Sequence, residues 1–286
     1  MRVLIFGASG MIGSAIFRLL AEGQEWDVKG TLRSFRDKQY FPVDANEKLI
    51  AGVFAESQDS LAAVFASFKP DIVVNCIGLT KHYADSAVPL RAIPLNALLP
   101  HRLAALSRIA GARFIHISTD CVFAGTRGNY SEDDQPDATD LYGRTKYLGE
   151  VDEPHALTLR TSTIGHELQT RLGLLEWFLQ QNGGCKGYSR AIFSGLTSVE
   201  FARVVRDFVI PFPDLQGLYH VGGDAINKYE LLREVAAVYG KQTDIQRDEG
   251  FVIDRSLDSG RFRKMTGYVP PDWTAMIHFM HASYSS

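Results

Sequence analysis

Tyr142 and Lys146 stand four residues apart in Tyr142-Gly143-Arg144-Thr145-Lys146, so on a helix they share one face and can reach one site. A free phenol releases its proton near pH ~10. A fixed ammonium beside it favours phenolate and is expected to lower that value, leaving an acid that can protonate an alkoxide as hydride reaches a carbonyl. Such a pair is often only a surface contact, but this is the single Tyr-x-x-x-Lys among 11 tyrosines. It also follows shortly after Ser118-Thr119-Asp120, at the tip of the apolar run Arg113–Ile117, where open α/β sheets bind ligands. There the Thr119 hydroxyl can donate to a carbonyl oxygen, orienting it and stabilising the charge that develops; its bland alternative is to cap the strand end.

A second group of residues suits a phosphate. Gly7-Ala8-Ser9-Gly10-Met11-Ile12-Gly13 follows the first apolar run and opens a helical segment. Its glycines permit a tight turn and close backbone approach, and the helix start offers free N–H groups to a pyrophosphate. The spacing is G-x-x-G-x-x-G rather than G-x-G-x-x-G. After the second run, Gly30-Thr31-Leu32-Arg33-Ser34 places Arg33 where an acidic residue would read the ribose of NAD; a guanidinium suits a 2′-phosphate instead and points to NADP.

The elements that must position these groups alternate. Strands are expected at Arg2–Phe6, Asp27–Leu32, Asp71–Cys76, Arg113–Ile117 and Leu157–Arg160, with helices starting near Met11, Ser60, Pro94 and Tyr142. This predicts an α/β protein: a Rossmann-type doubly wound parallel sheet with a smaller C-terminal substrate lobe. The nucleotide-binding part spans 1–165, with 205–222 returning to it through a strand at Leu218–Val221; residues 166–204 and 223–286 form the lobe. In the lobe Leu174–Gln180, Tyr229–Tyr239 and Thr274–Ala282 read as helices. Thr197-Ser198-Val199-Glu200 reads as a capping box opening a helix through Phe208. Trp177 reads as a core residue of its helix, and Lys186, Tyr188 and Arg190 as candidates for base or phosphate contacts.

Composition bounds the rest. At 286 residues the chain can bury a large core. A formal charge of −3 without a basic run argues against nucleic acid as partner, and no apolar run reaches the length of a membrane span. Three widely spaced cysteines, Cys76, Cys121 and Cys185, suit a reducing compartment and offer no metal pair. The N-terminus reads as strand and turn rather than as an export signal. The expectation is a soluble cytoplasmic protein without membrane or metal partner.

The glycine turn, the Ser118-Thr119-Asp120-Cys121-Val122-Phe123 segment and Tyr142–Lys146, in this order, resemble the extended short-chain dehydrogenases/reductases, and within them the dTDP-4-dehydrorhamnose reductases. Pro70–Asn75, Gly149-Glu150 and Arg160-Thr161-Ser162 extend the likeness, which continues weakly in Gly195-Leu196-Thr197 and Arg255-Ser256-Leu257-Asp258. The resemblance implies reduction of the 4-keto group of a nucleotide-activated 6-deoxysugar by NADPH, with NADH possible, in a chain that can pair as a homodimer. It implies Thr119, Tyr142 and Lys146 as catalytic set and Gly7, Gly10, Met11, Ile12, Gly13, Arg33, Cys76, Ile77, Gly78, Ser118, Tyr142 and Lys146 as cofactor contacts. Thr119, Asp120, Cys121, His166 and Arg190 would face the substrate.

Departures leave alternatives open. Cys121 stands where the family has tyrosine, and Phe54 where an acidic residue commonly meets adenine. The Thr-Asp-Glu of related dehydratases is absent, which removes the base that dehydration needs. A cysteine two residues after the catalytic hydroxyl also resembles an epimerase-reductase, with Cys121 and His166 exchanging protons beside the ketone. A reading of another class is a non-catalytic, NADP-binding regulatory subunit, against which the intact Thr119, Tyr142 and Lys146 speak.

Overall fold

Alternating burial along the first strand organises the molecule. In the computed structural model, which describes residues 1–23, 25–81 and 84–284, β1 (Arg2–Phe6) sends Val3 and Ile5 to one side and Leu4 and Phe6 to the other, all fully buried. A strand covered on both faces reads as a continuous apolar run, as parallel sheets require. β2 (Asp27–Leu32), β3 (Leu49–Ala51), β4 (Ile72–Asn75), β5 (Arg113–Thr119), β6 (Ala156–Thr161) and the strand Gly217–His220 complete a seven-stranded parallel sheet. Its order runs from Gly217–His220 through β6, β5, β4, β1 and β2 to β3. The order reverses between β1 and β4, which opens a crevice at their C-terminal ends. The short β3 carries no periodicity of its own and follows two polar 3₁₀ turns, Phe35–Tyr40 and Val43–Lys48.

Helices α1 (Met11–Glu22), α2 (Gln58–Phe68), α3 (Pro89–Ala92), α4 (Leu99–Ala110) and α5 (Leu141–Leu148) cover the sheet. Ser57 caps α2 by accepting from the Ser60 N–H, and Asp140 caps α5 through the Gly143 N–H. α3 runs into α4 through one π-helical turn, Ile93–Leu98, which holds Pro94.

The lobe is woven from short strands. Cys185–Tyr188 pairs in parallel with Ile245–Asp248. Ala191–Phe193 lies between Ile226–Asn227 and Ile253–Asp254. The helix Ser198–Val204, expected in the lobe, packs against α1, because Phe201, Ala202 and Val205 share a core with Ile16 and Phe17. Only half of the capping box forms: Thr197 accepts from the Glu200 N–H, whereas the Glu200 carboxylate accepts from the Tyr268 hydroxyl at 3.1 Å. Trp177, expected in the core, is 38% exposed; Leu175 and Phe178 occupy the buried face of that helix. Among the described residues no helix is long and apolar enough to cross a membrane.

Candidate active site

Backbone shape alone builds the first half of the site. Gly7 has φ +82°, open to glycine but strained for other residues. A Cβ on Gly13 would lie 2.1 Å from the Gly7 carbonyl oxygen. Ala8 N donates to Thr31 O at 3.1 Å and Gly7 N to the Thr31 hydroxyl at 3.3 Å, tying the turn to β2. Gly10 is the N-cap of α1 and supplies no side-chain acceptor, so the N–H groups at Met11 and Ile12 face the crevice without a side-chain cap. Opposite, Ile77 packs on Gly7, and Gly78 sits where a Cβ would come within 3.8 Å of Lys146 Nζ. Cys76 N donates to Phe6 O, and burial pushes its thiol up to about 12, so it stays neutral. Such a cradle fits a dinucleotide pyrophosphate.

Beyond the end of β2 lies an open cleft of about 720 Å³ lined by Arg33, Ser34, Phe35, Arg36, Ala51, Gly52 and Phe54. Arg33 is therefore where a ribose phosphate would sit, and Phe54 faces the same space. Arg36, missed by motif reading, joins it because the Ser34 hydroxyl accepts from the Arg36 N–H at 3.1 Å and starts the 3₁₀ turn.

The second half gathers at the tip of β5. Thr119 and Tyr142 are in side-chain contact, with Thr119 also donating to Asp120 Oδ1 and accepting from the Cys121 N–H, both at 3.1 Å. Close approach of α5 makes this meeting possible: a Cβ on Gly143 would lie 2.3 Å from the Cys121 carbonyl oxygen. The phenol does not follow the expected shift. Burial raises its pKa, the neighbouring Cys121 adds to the rise, and the Thr119 hydrogen bond only partly opposes it. Lys146 does not lower it, because its ammonium is drawn to β5, donating to Ile117 O at 2.8 Å and facing His116 Nε2 at 3.4 Å. Burial holds Lys146 down at about 8.

Two further residues support Lys146 without having been legible in any motif. His116 is fully buried, neutral because burial and Lys146 hold its pKa well below the usual range, and bonded to Asn75 Nδ2 at 3.1 Å. Asn96, in the π turn, bonds both Leu79 N and Leu79 O and reaches Thr145 at 3.3 Å, locking the loop after β4 to α5. The only hint was Pro94 within a helical pattern.

Three expected contacts lie elsewhere. The Ser118 hydroxyl donates to Glu150 Oε1 at 2.7 Å, inside a buried network in which Glu150 also pairs with Arg160 at 2.7 Å, so this hydroxyl is not available to a cofactor. His166 does not meet Cys121: Nδ1 is engaged by Glu176 at 2.6 Å and Nε2 by the Tyr239 hydroxyl at 2.8 Å, and both nitrogens are spent. Arg190 is exposed on the turn before Ala191 and makes no side-chain hydrogen bond among the described residues. Cys121 itself is buried beside the hydroxyls, its thiol pushed up to about 11 by burial and by Asp120.

A doubly wound sheet with a glycine turn on β1 and a Thr/Tyr/Lys constellation at β5 and α5 defines an extended short-chain dehydrogenase/reductase. A family profile described as RmlD substrate binding domain matches residues 1–171, and the chain belongs to that family. Methionine adenosyltransferase 2 subunit beta of Xenopus laevis is 32% identical over 259 residues, covering 83% of this chain and 72% of that protein. The spore coat polysaccharide biosynthesis protein SpsK of Bacillus subtilis (strain 168) is 29% identical over 258 residues, covering 85% and 81%. The crystal structure of dTDP-4-dehydrorhamnose reductase from Bacillus anthracis str. Ames in complex with NADP superposes with a TM-score of 0.79 at 20% identity, covering 99% of both chains. At that identity the superposition establishes the shared fold.

Proposed function

We propose that the protein reduces the 4-keto group of a nucleotide-activated 6-deoxysugar, using NADPH and accepting NADH less well. The contact between Tyr142 and Thr119 beside the glycine cradle carries this reading. In it, residues 1–165 with 205–222 hold the dinucleotide and 166–204 with 223–286 hold the sugar. Gly7, Gly10, Met11, Ile12 and Gly13 cradle the pyrophosphate, Arg33 and Arg36 meet the 2′-phosphate, and Cys76, Ile77 and Gly78 wall the nicotinamide side. The cofactor supplies the hydride. On substrate binding the Thr119 hydroxyl turns from Asp120 Oδ1 to the carbonyl oxygen and holds it. Tyr142, kept protonated by burial, gives its proton to that oxygen as charge develops. Lys146, held against β5, is the cation that would meet the nicotinamide ribose, while Asp120 and Cys121 face the sugar. Association as a homodimer belongs to the same reading and is checked by light scattering.

The names of the relatives support two readings: SpsK acts in polysaccharide biosynthesis by its name, and the Xenopus laevis relative is by its name a subunit of another enzyme. The second favours a regulatory subunit that binds NADP without turnover. NADPH oxidation followed by absorbance with a panel of 4-keto sugar nucleotides separates them. Reduction is expected, with Tyr142→Phe lowering kcat by roughly 10²–10⁴-fold at unchanged NADPH affinity. No oxidation with any member of the panel, or a Tyr142→Phe variant as fast as the parent, would reject the catalytic reading. Solvent deuterium is not expected in carbon-bound positions, since Cys121 lacks His166 as a proton partner.

A further inference from the structure

Beyond β2 the edge of the sheet carries two aromatic side chains that the fold leaves uncovered. Phe35 opens the 3₁₀ turn after β2 and is 72% exposed, and Phe54 lies just past β3 and is 52% exposed. Both line the cleft of about 720 Å³ that also holds Arg33 and Arg36. Water against an aromatic face is unfavourable, so two large rings left at one opening mark a place for an apolar partner.

Local structure keeps both rings there. Ser34 caps the turn, which makes Phe35 its first residue. Gly52 has φ +80°, and a Cβ on it would lie 3.2 Å from Phe35 Cε2, so the ring rests against backbone where a side chain would push it away. On the other strand Val53 is buried and its N–H donates to Leu32 O at 3.0 Å, which turns the next residue outward. That residue is Phe54, whose N–H donates to the Ser60 hydroxyl at 3.0 Å and whose carbonyl accepts from the Ser57 N–H at 3.1 Å.

The rest of the lining is equally informative. Arg33, Ser34, Arg36, Ala51 and Gly52 include no carboxylate and no side-chain amide, and the Ser34 hydroxyl already accepts from the Arg36 N–H. An amino group on a ligand's edge finds no such acceptor here, whereas a flat face finds two rings and two guanidinium planes. Position along the sheet says which flat group arrives. The glycine turn lies at the end of β1, Arg33 lies at the end of β2, and β3 is the next strand outward. A dinucleotide whose pyrophosphate rests on α1 and whose ribose reaches Arg33 brings its adenine to the gap between the ends of β2 and β3.

We propose that Phe35 and Phe54 hold the adenine of the dinucleotide by its faces, so that this cleft selects a flat base and is indifferent to the groups on its edge; this rests on the cofactor reading above.

Fluorescence titration of the full-length protein with NADPH, NADH and reduced nicotinamide hypoxanthine dinucleotide phosphate tests this. In the third probe a carbonyl replaces the 6-amino group of adenine. It is expected to bind within about tenfold of NADPH, the scale of one neutral hydrogen bond. Phe35→Ala and Phe54→Ala are each expected to weaken all three probes by the same factor, roughly 5–100-fold, as loss of one base–aromatic stack does. Equal loss for NADPH and NADH separates the rings from Arg33 and Arg36, whose removal acts on NADPH alone. Phe54→Trp is expected to keep the parent's affinity. Both rings are exposed, so the alanine variants retain the parent's melting temperature. Val43→Ala, exposed in the next 3₁₀ turn, leaves binding unchanged. A hypoxanthine probe bound more than about tenfold weaker than NADPH overturns the proposal. So does parent-like affinity in either alanine variant, or a fall in mass by light scattering in place of a fall in affinity, which assigns the face to a second copy. The readout needs no turnover. A protein that binds all three probes as expected and reduces no keto sugar keeps the aromatic site and loses the reductase reading; turnover by variants of undiminished dinucleotide affinity removes only the aromatic site.

Discussion

The proposed cofactor half and sugar half of the cleft present different atoms to a ligand. Around Gly7–Gly13 the backbone does it: the glycines remove side chains, and the start of α1 offers uncapped N–H groups. Around Cys121 charged side chains do it: Lys81 and Arg255 reach its Sγ, and Lys228 lies over the Phe193 ring. A backbone cradle is shared by any chain with the same turn and says little about which dinucleotide or substrate is used. Side chains on separate short strands can be exchanged one at a time, so a change of ligand is more easily made there.

Behind the catalytic hydroxyls lies a buried ion pair, and the largest expected effect is its loss. Arg160 is 2% exposed and its partner Glu150 11% exposed, with Glu150 also accepting from Ser118 next to Thr119. Glu150→Ala leaves a guanidinium buried without its counter-charge, and should cost about 3–5 kcal/mol in urea unfolding. A loss under about 1 kcal/mol would mean that water compensates Arg160.

Within the cofactor half, Gly13→Ala sharpens the comparison. The added methyl meets the Gly7 carbonyl, a backbone atom that cannot swing away, so the turn must open; overpacking of this kind costs about 1–3 kcal/mol. NADPH affinity by fluorescence titration should fall roughly 10–100-fold. Arg33→Gln and Arg36→Gln should act more narrowly, each lowering the preference for NADPH over NADH by about tenfold through loss of a charged hydrogen bond. Equal losses for both cofactors would place these arginines away from the 2′-phosphate.

The legibility of the two halves differed for the same physical reason. The turn, its helix and the Tyr142/Lys146 pair are local: residues a few positions apart on one element, with spacing that states their geometry. The β1–β2 and β4–β6 strands were readable because buried parallel strands are continuous apolar runs. Lys81, Lys228 and Arg255 are each an ordinary basic residue in its own segment, and only the pairing of Ala191–Phe193 with both neighbours brings two of them together. Closeness along the chain also misled: His166 follows Ile164-Gly165 at the end of the sheet, yet Glu176 and Tyr239 turn its ring into the lobe's own packing. Arg33 was legible by position, whereas Arg36 needed the 3₁₀ turn that Ser34 begins.

The smallest effect near neutral pH, and the one that tests where the halves join, is the titration of Lys146. Asn75 Oδ1 accepts from the Ile77 N–H at 3.1 Å, so its Nδ2 is the group that donates to His116 Nδ1. A neutral imidazole then carries its proton on Nε2, pointed at Lys146 Nζ. Burial disfavours the ammonium, that proton opposes it as well, Glu150 favours it, and the balance puts Lys146 at about 8. The lysine is charged below that pH and neutral above it, so kcat for reduction should halve near pH 8 and then fall about tenfold per pH unit. Stability moves the other way. The folded chain sheds this proton before the unfolded chain does, so between about 8 and the ordinary lysine range unfolding binds a proton and stability rises with pH. A falling rate in a protein that is not melting therefore identifies Lys146 rather than denaturation. His116→Phe removes the opposing N–H and should carry the limb upward, with the parent's NADPH affinity retained. A kcat profile flat to about pH 10 in the parent would show that the charge on Lys146 takes no part in the proton transfer.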